Sequence, residues 1–296
     1  MMQAIKKIRG QLLLVLTLAV VGALLILMSD GFAVPDQAYV LSGGQGKMSA
    51  RSSGSCEVDR SSLIPGSVAI DPSGFSVFSW NTHKGSDPEW QRDLVSLGAD
   101  ADIVLLQEAS LGENLRAQLV LMERDWQLAP AFQSASGETG VMSISPVSAN
   151  RSCALRETEP IIRIPKMALV STYPLHGTPD QLLVVNVHVI NFTLALDSVR
   201  RQIEDIREMI RAHRGPVVVA GDFNTWSGER LALIESEMAD LGLQPVRFHP
   251  DHRSRFFNRT VDAVYSRGLE VVTSRSHPVQ TSDHNPLSVR FRTSDG

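Results

Sequence analysis

The chain has 296 residues, 43% of them hydrophobic, with 28 lysines and arginines against 32 aspartates and glutamates, for a net charge of −4. That length can bury a full core, and the composition is that of an ordinary globular protein. The balance of charge excludes a global basic field of the kind many nucleic-acid binders carry; a local basic groove stays open.

Lys6, Lys7 and Arg9 precede "LLLVLTLAVVGALLILM" (12–28), whose only polar residue is Thr17. At ~1.5 Å per residue this nearly spans a bilayer core. Residues 1–10 therefore read as a basic flank and 11–29 as a transmembrane anchor. Gly31 and Ala33 offer the alternative of a signal cleaved near residue 33. The positive flank is N-terminal, which predicts an extracytoplasmic location for the rest. Residues 30–73, including "LSGGQGKMSARSSGS", read as a flexible linker. Cys56 and Cys153 are compatible with one disulfide in an oxidising compartment and equally with two free thiols.

From Phe75 the texture changes. "FSVFSW" predicts a strand, 88–97 a short helix and "ADIVLLQ" a buried strand. "SLGENLRAQLVLM" predicts a helix with Ser110 as N-cap and Glu113 at the capping-box position. "GVMSIS", "MALVSTY" and "LLVVNVHVI" are strand candidates. Between 197 and 213, Val199, Ile203, Ile206 and Ile210 share one helical face. Then come the strand "PVVVAG", a helix around 229–241, and the strands "VDAVYS", "LEVVTS" and "LSVRF". Interleaved helices and more numerous strands predict an α/β or α+β sheet protein, in one domain from 74 to 296. No internal repeat is visible.

The unusual polar residues gather where apolar runs end. Asn81 and His83 close the first strand, and Glu108 another. Asn186 and His188 lie inside an apolar strand, and Asp222 and Asn224 follow "VVVAG". Asp262 sits in "TVDAVYS", and Asp283 and His284 in "TSDHNPL". Each alone has a plain explanation: a turn former, a surface charge, a hydrogen-bonded core histidine. The coincidence of all of them points to a crevice at the strand ends. Glu108, Asp283 and the Asn81 amide oxygen are hard oxygen donors, suited to Mg²⁺ or Mn²⁺ more than to zinc. Hydrolytic phosphoryl transfer needs such a cation, a group to orient or deprotonate water, and donors for the developing charge. There is no G-x-S-x-G elbow, P-loop or G-x-G-x-x-G.

The order N…E…NxH…GDFN…D…SDH resembles the endonuclease/exonuclease/phosphatase (DNase I-like) superfamily, and within it a poorly characterised bacterial branch with similar "GVMSIS", "NVHVINFT" and "SDHNPL" segments. The resemblance runs from Phe75 to the C-terminus. It implies a four-layer α/β sandwich of two packed, mainly antiparallel sheets with outer helices, here preceded by the N-terminal transmembrane helix. It also implies roles. Asn81 and Glu108 would hold the metal, and Asp283 would help hold it or orient a ligand. Asp222 would position or deprotonate the attacking water, and Asn224 would orient Asp222 and touch the phosphate. His284 would contact the scissile phosphate, kept cationic by Asp262, and His188 would be a second phosphate or leaving-group contact. His83 and Asn186 are further candidates.

The implied activity is that of a Mg²⁺-dependent phosphodiester hydrolase, endonuclease-like. Its alternatives are a sphingomyelinase-like phospholipid phosphodiesterase, a phosphomonoesterase, and a noncatalytic phosphate-ligand-binding protein on the same scaffold. The partners expected are nucleic acid or phospholipid as substrate and the membrane through the N-terminal helix, with no protein partner. "FHPDHRSRFFNR" (248–259) could grip a phosphodiester backbone and stack a base, or touch anionic headgroups. Sequons at Asn150, Asn191 and Asn258 matter only in a glycosylating host.

Overall fold

The computed structural model describes residues 31–44, 47–52, 68–193 and 195–294. In chain order its strands begin with β1 (Tyr39–Gly44), β2 (Lys47–Ser52), β3 (Phe75–Asn81), β4 (Ile103–Ser110), β5 (Asp125–Ser134) and β6 (Gly137–Ser145). Next come β7 (Arg151–Thr158), β8 (Pro165–Pro174), β9 (Gln181–His188), β10 (Val217–Asp222) and β11 (Gln244–Pro245). The last are β12 (Arg255–Phe256), β13 (Arg259–Thr260), β14 (Asp262–Arg267), β15 (Leu269–Ser276) and β16 (Leu287–Thr293). The helices are α1 (Trp90–Gly98), α2 (Glu113–Met122), α3 (Asp197–Ala212) and α4 (Gly228–Asp240).

An eight-stranded sheet runs β15-β16-β3-β4-β6-β5-β1-β2, and a six-stranded sheet runs β11-β14-β10-β9-β8-β7. Both are mixed: β3 pairs parallel with β4 and β9 with β10, and the remaining neighbours are antiparallel. Period-two alternation divides each central strand between two cores. In β9, Leu182 and Val184 face the opposite sheet, while Leu183, Val185 and Val187 face the helices. In β10, Val218 and Ala220 point inward and Val217 and Val219 outward. Strands covered on both faces read as unbroken apolar runs, which is why "VVVAG" carries no alternation. The predicted stripe Val199, Ile203, Ile206, Ile210 packs α3 on the six-stranded sheet, beside Ile234 and Met238 of α4. Leu94 of α1 and Leu115 and Leu119 of α2 pack on the outer face of the other sheet. The order of layers is helix, sheet, sheet, helix.

Two local expectations are corrected. Part of the stretch read as linker belongs to the sheet: β1 pairs with β2 and β5, and Val40 and Leu41 are buried. Gly43, read as linker composition, lies against the Trp126 ring, where a Cβ would come within 2.4 Å of the indole. The Ser110 capping box does not form. Ser110 is the last residue of β4 and accepts from the Thr139 hydroxyl at 3.2 Å, so α2 starts later, with Gly112 as its N-cap. Cys153 is disulfide-bonded; the chain's other cysteine, Cys56, lies outside the described residues. The predicted membrane span 11–29 lies outside them too, and none of the described helices is long and apolar enough to cross a membrane.

Candidate active site

Sheet register lines the polar residues up at one end of the sandwich. His188, Asp222 and Asp262 are direct cross-strand partners at the ends of β9, β10 and β14. Asn81 ends β3, opposite Gln107 of β4. The approach of β10 to β9 requires Gly221: with φ at +144°, a Cβ there would lie 2.0 Å from the Val187 carbonyl oxygen. At Glu108 the register of β4 against β6 shifts, and the residue takes φ +50°. A bulge re-aims a side chain, and this one separates Gln107, whose amide donates to the Asn186 side-chain Oδ1 across the sandwich at 2.7 Å, from Glu108, which turns to Lys84. His83, Lys84 and Asn224 also have positive φ. Backbone strain of this kind gathers at functional sites.

Asp222 is the centre. Its Oδ2 accepts from the Asn81 amide at 3.0 Å, and its Oδ1 from the Asn224 backbone N–H at 2.9 Å. The same Oδ2 lies 3.3 Å from His188 Nε2 and 3.8 Å from His284 Nε2. Burial pushes the Asp222 carboxyl up to about 6 against the opposing charge of His284. His284 Nδ1 donates to both oxygens of Asp262, at 2.9 and 2.8 Å. Burial disfavours its charge, but Asp262 and Asp222 overcome this and raise it to about 10. Its backbone is anchored by Trp80, whose indole N–H donates to the His284 carbonyl at 2.9 Å.

A second cluster lies around Glu108. Lys84 Nζ donates to its Oε2 at 2.6 Å, and Lys166 Nζ is 3.9 Å from Oε1. Burial would raise the Glu108 carboxyl; the charges of His188, Lys166 and Lys84 reverse this and hold it at about 2. Lys166 also donates to His188 Nε2 at 2.7 Å. Burial and that ammonium push His188 well below the usual imidazole range.

Asp283 and His83 stand at the rim, both about half exposed, with Oδ1 and Nδ1 3.7 Å apart. The His83 backbone N–H donates to Asn81 Oδ1 at 3.1 Å. Asn224 also donates its side-chain amide to the Val189 carbonyl at 2.9 Å. Asn186 turns away from the cluster: its amide donates to the Leu106 and Met142 carbonyls of the other sheet, at 3.1 and 2.8 Å. It ties the two sheets together.

Asp222, Asp262 and His284 bring ligand atoms within 4.8 Å of one another. A protonated imidazole is a donor at both nitrogens and cannot ligate a metal. With His284 held at about 10, this group is an imidazolium set between two carboxyl groups at neutral pH. Glu108 fits a hard divalent cation better: it is an ionised carboxylate, 19% exposed, whose nearest neighbour is the ammonium of the half-exposed Lys84.

Lys84, Lys166, Glu159 and Arg230 escape the sequence reading. Lys84 follows His83 directly, which is the one available signal. Arg230, buried in α4, donates to the carbonyls of Ile190, Asn191, Thr193 and Asn224, fastening the loops after β9 and β10. Buried Glu159 accepts the backbone N–H groups of Asn191 and Phe192 at 2.6 and 3.1 Å.

A family profile described as Endonuclease/Exonuclease/phosphatase family matches residues 78–284. A UPF0294 protein of Yersinia pseudotuberculosis is 40% identical over 216 residues, 73% of this chain and 83% of that protein. Among solved structures, the human Nocturnin catalytic domain with bound sulfate anion superposes with a TM-score of 0.60 at 16% identity, covering 77% of this chain and 97% of that one. D. rerio TDP2 complexed with a single strand DNA product gives 0.53 at 17%, covering 75% and 100%. At these identities the structural likenesses speak to the fold.

Proposed function

Because the chain belongs to the endonuclease/exonuclease/phosphatase family, and so among the phosphoric ester hydrolases, we propose that it is a Mg²⁺- or Mn²⁺-dependent phosphodiesterase acting on nucleic acid. The observation that carries the reading is the fixing of Asp222 between the Asn81 amide and the Asn224 N–H, with the Asp262-bound His284 beside it. A base and a phosphate-binding cation are thereby held within one small volume.

Glu108, with Asn81 and Asp283, would hold the metal, which when bound would polarise the phosphoryl oxygens. As a carboxylate, Asp222 orients a water and takes its proton as that oxygen bonds to phosphorus and the bond from phosphorus to the leaving ester oxygen breaks. His284 donates Nε2–H to the phosphate, where charge grows, and Asp262 keeps that proton on the ring. His188, held by Lys166, faces the leaving group. Asn224 keeps Asp222 from rotating.

The single strand DNA product belongs to the zebrafish protein; on a shared fold it supports nucleic acid here. The apolar stretch 12–28 favours a phospholipid as the competing substrate, with the domain at the extracytoplasmic face of a membrane. The test is the full-length chain in Mg²⁺ or EDTA against plasmid DNA, single-stranded DNA, RNA and phospholipid vesicles, with Asp222→Ala as control. Metal-dependent cleavage of nucleic acid, lost in the variant, is expected. Cleavage of lipid alone would replace the substrate, and cleavage of nothing would remove the activity.

A further inference from the structure

Beside His284 the chain raises a small hairpin that stability does not explain. β12 and β13 pair with Arg255 opposite Thr260 and Phe256 opposite Arg259. The two turn residues, Phe257 and Asn258, have φ of 47° and 65°. Two-residue turns with both φ values positive favour Asn and Gly. Asn258 suits its place; a phenylalanine at the first position meets steric strain. Nor is the ring buried, at 81% exposed.

The surroundings of the hairpin are ordered for a planar ligand. Phe257 meets the Trp226 ring edge-on, with centroids 6.3 Å apart. Trp226 is itself fixed: its indole N–H donates to Asn191 at 2.9 Å and the Arg230 guanidinium lies 4.7 Å over its ring. Phe256, 41% exposed, has its ring 5.9 Å from the His284 imidazole. The cations differ in availability. Arg253 and Arg255 both bind Asp251, whereas exposed Arg259 makes no ion pair among the described residues.

We propose that this hairpin is a nucleobase platform: the base beside the scissile phosphate of a single strand stacks on Phe257, and Arg259 takes a neighbouring phosphate. The inference rests on His284 being the phosphate contact of the proposed phosphodiesterase. Stacking on aromatic rings, with cations for the backbone, is how single strands are held without sequence preference. Duplex bases are already stacked and offer no free face until extruded. Lipid chains have no planar face, so an edge-fixed Phe257 ring, on the hairpin whose Phe256 lies beside His284, favours a nucleotide over a membrane.

Binding separates this inference from the activity. The probe is a single-stranded oligonucleotide carrying 2-aminopurine, against the same strand with an abasic residue there, on the full-length chain made inactive by Asp222→Ala. Quenching of the 2-aminopurine is expected, with roughly tenfold tighter binding than the abasic strand. Adding Phe257→Ala should abolish both, and Phe257→Trp should keep them; the exposed turn position leaves folding out of the comparison. Arg259→Gln should reduce the slope of log affinity against log salt by about 0.7. Equal affinity for the two strands, or no effect of Phe257→Ala, overturns the platform. Phe257-dependent binding to phosphatidylglycerol vesicles without discrimination between the strands would assign the hairpin to lipid instead. Failure of the phosphodiesterase reading would show separately, as no metal-dependent cleavage by the chain with Asp222 intact.

Discussion

Glu108, partly buried, and Asp222, fully buried, are two carboxylates at one end of the sandwich, on strands of opposite sheets, and they are driven in opposite directions. Burial pushes both up. At Glu108 the charges of His188, Lys166 and Lys84 win, and the group sits at about 2. At Asp222 the one strong cation is His284, which already belongs to Asp262, and the group sits at about 6. Environment thus divides one chemistry into two states: a carboxylate that stays charged throughout the neutral range and a group that can take and release a proton near neutrality. The difference lies in who owns the neighbouring cation.

Removing the proton acceptor should break this comparison most. Asp222→Asn keeps the shape and the hydrogen bond from Asn81, so kcat should fall about 10²- to 10⁴-fold with the fold intact by circular dichroism. A folded variant with wild-type turnover would take Asp222 out of the reaction. Next in size is the partner that owns the cation. The rate should rise as Asp222 ionises near pH 6 and fall as His284 loses its proton near pH 10. Asp262→Asn should lower kcat about 10²-fold and bring the alkaline limb down by roughly 1–3 pH units. An unmoved alkaline limb would mean that another group sets it. At the other carboxylate, Glu108→Gln should raise the Mg²⁺ needed for half-maximal rate about tenfold or more. A metal titration identical to wild type would separate Glu108 from the ion.

The same comparison has a signature in stability, measured in EDTA by urea unfolding across pH. Glu108 is depressed when folded, so it contributes above pH 4.5, and this is lost as pH falls from 4.5 toward 2. Asp222 is raised when folded, so the fold loses stability as pH climbs from 3.8 to about 6. Each shift corresponds to about 3 kcal/mol. Glu108→Gln should therefore flatten the acid limb and lower stability at pH 7, and Asp222→Asn should remove the loss between pH 4 and 6 and raise it. Parallel profiles for the two variants would show that the two environments are alike.

The two carboxylates also mark how far the sequence was legible. Long apolar runs and the helical stripe of α3 announce themselves, because burial on a strand or helix face leaves a period. Acids and imidazoles at the ends of such runs are conspicuous because burial there needs a reason. That made Asn81, Glu108, His188, Asp222, Asp262 and His284 visible as a set. Lys84 and Lys166 were not, since nothing local says that a lysine will meet a carboxylate 24 residues away, as Lys84 meets Glu108. The same holds for Arg230, whose four carbonyl partners come together only through the loops after β9 and β10. β1 was hidden for another reason. Its glycines look like a tether until Trp126 is seen lying against Gly43.

Asn186 gives the smallest effect on rate and the sharpest control. In sequence it is as suspicious as His188, two residues on in the same strand. Alternation of strand faces would place both on one side of the sheet, but their partners differ. Asn186 spends its amide on the Leu106 and Met142 carbonyls and its oxygen on Gln107, all across the interior. His188 binds Lys166 and approaches Asp222. Asn186→Ala leaves those buried partners unmatched, which should cost about 3 kcal/mol of stability. At a temperature where the variant stays folded, kcat should remain within about threefold of wild type, because no group that touches Asp222 has moved. A loss of turnover as large as that of Asp222→Asn, with the variant folded, would mean that the amide reaches the reaction through Gln107 and β4, and that the strand end and the sandwich interior are one device.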